Sequence, residues 1–170
     1  MASKRRKRTA CLECTNTDAF TQLSAYRLPS VLKTDLSAHR DFRIYDVDYY
    51  PNVKKEALPA LINSGHEILI LDFGCLSDDS MDELYRCDKK LILGSAAPWL
   101  SQSTYDSIMH YPQIKNMESL SLMIKNATNP DIAELARKLS LPHGKIHAVP
   151  FLSNPFHIEK EQFSFFEKLL

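Results

Sequence analysis

The sequence predicts an α/β fold, a mainly parallel open sheet with helices on both faces. Three observations carry the prediction. Short apolar runs alternate with amphipathic stretches along the whole chain. Two of the runs, EILILDF (67–73) and LILG (91–94), are nearly continuous in apolar residues. A strand covered on both faces needs that pattern, as parallel sheets do. The alternation is also spaced for right-handed strand–helix–strand crossovers.

Six runs read as strands: TACLEC (9–14), FRIYDVD (42–48), EILILDF (67–73), KKLILGS (89–95), SLSLMIK (119–125) and KIHAVP (145–150). Between them TDAFTQLSAY (17–26), SVLKTDLSAH (30–39), KKEALPALINSG (54–65), DDSMDELYR (78–86), SQSTYDSIMHY (101–111) and NPDIAELARKLS (129–140) read as helices. EKEQFSFFEKLL (159–170) reads as a last helix. Its Phe163, Phe166 and Leu169, with Phe165 and Leu170 beside them, are expected to pack on the core, or else to form an oligomer face.

Several boundaries have a mechanism. Asn129 before Pro130 is expected to cap a helix whose apolar face is Ile132, Leu135, Ala136 and Leu139. Ser77 or Asp78 can cap the helix carrying Met81, Leu84 and Tyr85. Gly65 suits a helix stop. Pro59 requires its helix to start at Leu58 or to kink.

A chain of 170 residues suits one domain, 1–170, with residues 1–8 as a basic N-terminal tail. Lys plus Arg and Asp plus Glu each number 21, so net charge gives no polyanion-binding bias. The run Lys4–Arg8 reads as a solvated helix end; nucleic acid or a membrane surface is its sharper alternative. No apolar stretch approaches the roughly 20 residues of a membrane span, and no apolar region follows the basic start. A cytoplasmic location and reduced thiols are expected.

Cys11 and Cys14 pose the C-x-x-C question. On a strand, three residues apart, they point to opposite faces with Cα atoms about 10 Å apart. A disulfide needs about 7 Å or less. Buried structural thiols are the expected reading, with no metal or redox role. The six histidines lack ligand spacing, and no Ser/His/Asp arrangement is visible as a motif. Trp99 is expected to be a half-buried packing residue, or else a partner contact.

The glycines are Gly65, Gly74, Gly94 and Gly144, none close to another, so these 170 residues hold no glycine-rich phosphate loop. Ligands of an open parallel sheet bind at the carboxyl ends of its strands. The residues leaving the strands there are Glu13–Asn16, Asp72–Gly74 and Gly94–Trp99. Asp72, after an apolar run and before Phe73–Gly74, suits an acid holding magnesium beside a nucleotide, or else a loop cap.

TACLECTNTD, HEILILDFG, RCDKKLILGSAAPW, SLMIKN and AVPFLSNPF resemble successive strand ends of the ParA/MinD-type deviant P-loop ATPases of bacteria. The branch that looks nearest is CpaE/TadZ-like, and the resemblance spans about residues 3–165. It implies a nucleotide-binding-like set of Glu13, Thr15, Asp72, Gly74 and Ser95, with Asp72 on the metal side of a Mg-nucleotide. MASKRRKR resembles the tail of that family's first helix, so the phosphate loop and the central first strand are expected to lie outside these residues. Mg-ATP would then bind only with that segment restored.

Three outcomes are open for the strands carrying Asp72 and Leu91–Leu93: completion from a longer reading frame, closure on each other, or a strand from a partner. The function implied is an ATPase-like, non-catalytic or truncated protein that positions or regulates through protein partners, as a homodimer or with others. The alternatives are a receiver- or flavodoxin-like regulatory module and a basic-tailed nucleic-acid binder.

Overall fold

The computed structural model describes residues 7–27, 41–152, 154 and 156–167. The expected helix over 30–39, Lys4–Arg6, Leu169 and Leu170 lie outside them. The chain divides into two compact units, Met1–Ser77 and Asp78–Leu170.

The first unit holds a four-stranded sheet. Its strands are β1 (Thr9–Glu13), β2 (Phe42–Ile44), β3 (Val47–Tyr50) and β4 (Ile68–Asp72), in the order β2-β3-β1-β4. β1 runs parallel to both β3 and β4. The run expected as one strand over 42–48 is instead a hairpin. Tyr45 and Asp46 both have positive φ, 50° and 66°, and β2 pairs antiparallel with β3. Two such residues make the two-residue turn whose twist matches a hairpin. β-Propensity alone could not show that reversal.

Helices α1 (Ala19–Arg27) and α2 (Leu58–Ile62) belong to opposite faces of this sheet. Leu58 joins Ala10 and Leu12 in a buried cluster, flanked by Cys14, Tyr50, Leu69 and Leu71. On the other face Phe20 of α1 meets Tyr49 edge-on, with ring centroids 5.3 Å apart, and Phe42 stacks on Tyr49. Pro59 sits in the first turn of α2, which starts at Leu58. Gly65, at φ 84°, follows it.

The second unit holds β5 (Lys90–Ser95), β6 (Leu120–Lys125) and β7 (Ile146–Ala148), all parallel, in the order β5-β6-β7. β6 is buried on both faces through Leu120, Leu122, Met123 and Ile124. Its helices are α3 (Asp78–Arg86), α4 (Ser101–His110), α5 (Asn129–Leu139) and α6 (Lys160–Glu167). Ile132, Ala136 and Leu139 form the buried stripe of α5, as the spacing required. The cap of α5 is Thr128, not Asn129. The backbone N–H and hydroxyl of Thr128 both donate to Asp131 Oδ2, each at 2.7 Å. A capping box satisfies more of the helix start than a lone Asn can.

β4 is an end strand of the first sheet, and β5 an end strand of the second. Trp99 is 80% exposed rather than half-buried. Phe163 is also exposed, while Phe165 and Phe166 pack edge-on at 5.2 Å. Among the described residues no helix is long and apolar enough to cross a membrane.

Candidate functional site

The carboxyl ends of β1 and β4 bring four of the five expected residues together. Glu13 and Asp72 are partners at the last rung of the parallel ladder. Thr15 and Gly74 follow them in the two adjoining loops and touch. A Cβ added to Gly74 would lie 2.7 Å from Thr15 Cγ2. Gly74 also has φ 66°, where a side chain is strained.

The two carboxylates have different work. Glu13 is fully buried. Its Oε1 accepts from the Thr17 hydroxyl at 2.9 Å and the Ala19 N–H at 2.7 Å. Its Oε2 accepts from the Asn52 N–H at 3.3 Å. It therefore satisfies the first amides of α1 and pins the loop after β3. Asp72 is exposed, and its Oδ1 accepts from the Gly74 N–H at 2.9 Å. This is a rim carboxylate with the loop-turn bond a strand-ending Asp makes.

Ser95 belongs to the second unit and is buried. Its N–H donates to Thr104 Oγ1 at 3.0 Å, and the Thr104 hydroxyl lies 3.2 Å from its carbonyl. Its own Oγ accepts from the Ala97 N–H at 3.2 Å. Ser95 thus ties β5 to α4.

The thiols of Cys11 and Cys14 make no disulfide, and Cys14 packs with the face opposite Cys11. Burial, and next the nearby Asp72 charge, push the Cys11 thiol up to about 11. Such a thiol is unreactive at neutral pH. No group of three or more His, Cys, Asp or Glu side chains that could hold a metal occurs among the described residues.

One polar chain escaped the sequence. His66 is buried between Ser64, 2.6 Å from its Nδ1, and Asp48, 3.0 Å from its Nε2. Arg43 grips both oxygens of Asp48, at 2.6 and 2.8 Å. The Ser64 hydroxyl donates to the Leu61 carbonyl at 2.5 Å, so it is an acceptor toward the ring. A hydroxyl committed in that way is not an activated nucleophile. The chain is a fastener between β2–β3 and the end of α2. Its only sequence signal was an acid within a strand-like run.

A Mg-nucleotide needs oxygen ligands for the metal and backbone N–H groups around the phosphates. These residues offer one exposed carboxylate, Asp72, while Glu13 is already engaged by α1. By themselves they do not fit the group.

No family model and no curated protein matches the sequence. Among solved structures, a ParA family ATPase from Chlorobium tepidum TLS matches with a TM-score of 0.57 at 14% identity. The match covers 89% of this chain and 75% of that one. The chain therefore has a ParA-like α/β fold.

Proposed function

We propose that the chain is an ATPase-like protein of ParA/MinD character, with CpaE/TadZ-like proteins as its nearest counterparts, that positions or regulates protein partners and does not turn over nucleotide by itself. The observation that carries this reading is the division of labour at the β1–β4 rim. Asp72 is presented to solvent as a metal-side acid would be, while Glu13 is spent on the start of α1. The sequence supports it further, since no glycine-rich phosphate loop occurs in these residues. A receiver-like module would gather open acids at the first strand end, and Glu13 is closed there.

The experiment is titration of the 170-residue chain with ATP, with and without magnesium, followed by a phosphate-release assay. Neither binding nor release above buffer is expected. Magnesium-dependent ATP turnover by these residues would overturn the proposal. Adding a strand and glycine-rich loop ahead of residue 1 is expected to create magnesium-dependent binding that Asp72→Asn weakens.

A further inference from the structure

The chain of Ser64, His66, Asp48 and Arg43 calls for more protons than a neutral imidazole carries. Ser64 Oγ lies 2.5 Å from the Leu61 carbonyl oxygen, a separation that two oxygens adopt with a proton between them. The carbonyl has no proton to give, so the single hydroxyl proton of Ser64 points at Leu61. His66 Nδ1 lies 2.6 Å from the same Oγ and must donate to it. At the other end of the ring, Nε2 lies 3.0 Å from Asp48 Oδ2. The hydrogen bonds from Arg43 hold the Asp48 carboxyl down at about 2, so it is an ionised acceptor and Nε2 must donate as well. A ring that donates from both nitrogens is the imidazolium.

The His66 side chain is 3% exposed, so these bonds are not shared with bulk water. Tyr50 of β3 meets the ring edge-on, with centroids 6.1 Å apart. Asp41 and Arg8 act on Tyr50 from the flanks, together with Asp48 and Arg43. Arg8 also places its Nη1 3.3 Å from where a Gly65 Cβ would stand, and Glu67 accepts from the Arg8 N–H. α2 itself brings no charged side chain. Of these titratable and charged groups, Asp48 is the one bonded to the ring.

We infer that His66 and Ser64 form a proton-operated latch on the end of α2. With both ring protons in place, the Ser64 hydroxyl clasps the Leu61 carbonyl. When the ring gives up one proton to solvent, it is the Nδ1 proton, because ionised Asp48 keeps a donor on Nε2. Nδ1 is then an acceptor, and the Ser64 hydroxyl, 2.6 Å away, turns from Leu61 to donate to it. An imidazole ordinarily changes charge between about pH 5 and 8. The latch is therefore closed at the acid end of that window and opens as pH rises. Leu61 packs against the cluster of Ala10, Leu12 and Leu58, and its carbonyl still accepts from the Ser64 N–H at 3.1 Å. The fold thus persists in both states, and what loosens is the turn after α2, where Gly65 has φ 84°. The latch needs no nucleotide, so the ATP titration above can fail without touching it.

The test is an NMR titration of the full chain between about pH 5 and 8, read at the His66 ring nitrogens and the Leu61 carbonyl carbon. At the acid end both ring nitrogens should show the shift of a protonated nitrogen. At the alkaline end Nδ1 alone should show that of an unprotonated one. The Leu61 carbonyl carbon should move in the same step, in the direction of a lost hydrogen bond. Relative to its intrinsic rate, the Ser64 amide should exchange about three- to tenfold faster at the alkaline end, the effect of one hydrogen bond. Ser64→Ala changes an exposed residue, so the fold should hold. In that variant the ring should still titrate while the Leu61 carbon stays flat. A Leu61 carbon that stays flat in the parent chain overturns the inference. So does one that titrates by the same amount in Ser64→Ala, or a neutral ring with its proton on Nδ1.

Discussion

Glu13 and Asp72 stand side by side on the final rung of the β1–β4 ladder, yet one is fully buried and the other faces solvent. The difference lies in what reaches them. The start of α1 and the loops beside it close over Glu13 and supply its donors, whereas the exposed Asp72 carboxylate accepts from the Gly74 N–H of its own loop. Two acids at equivalent strand ends are therefore a buried structural cap and an exposed rim carboxylate.

Glu13→Gln should destabilise the chain by about 1–3 kcal/mol, because a buried acceptor facing several donors is replaced by a half-donor group. Urea unfolding measures it. Asp72→Asn should cost less than about 0.5 kcal/mol in the same assay, as an exposed substitution. Equal costs would contradict the assignment of roles.

Cys11 provides an independent readout of Asp72. Its thiol is raised to about 11, chiefly by burial and next by the Asp72 charge. In a background with Ser at positions 14, 75 and 87, the pH profile of Cys11 alkylation should shift downward when Asp72 becomes Asn. The shift should be partial, leaving the thiol above its ordinary value of 9.0, since burial remains.

The Arg43–Asp48–His66 chain should govern an acid limb of stability. The Arg43 hydrogen bond, helped by His66, lowers the Asp48 carboxyl from 3.8 to about 2. The folded state therefore prefers the ionised form. Its contribution is complete above about pH 4 and is lost as pH falls through about 2. Asp48→Asn should flatten that limb, and Arg43→Met should move it to higher pH. Acid titration followed by circular dichroism checks both.

Gly94 tests how closely α4 approaches β5. A Cβ there would run into Thr104 Cγ2 and meet Ile124 Cδ1 at 3.1 Å. Gly94→Ala should cost about 1–3 kcal/mol by overpacking. Thr104→Ser removes the obstructing methyl and keeps the hydroxyl that bridges Ser95. The double variant should recover most of the loss.

The order of strands and helices was legible in the chain because it is written locally. Apolar periodicity found β1, β4, β5, β6 and β7 to within a residue or two, and the stripe of α5 outright. It also placed Glu13, Thr15, Asp72 and Gly74 at one rim, because parallel strands put their carboxyl ends on one side. Three things needed the folded chain. The reversal at Tyr45–Asp46 depends on backbone angles that Tyr seldom adopts. The union of Ser64, His66 and Asp48 joins groups that only sheet pairing brings within hydrogen-bond reach. The opposite fates of Glu13 and Asp72 follow from where α1 begins in space. Local sequence sets which way a side chain alternates, but burial and partners come from non-local pairing, and those decide what a carboxylate can do.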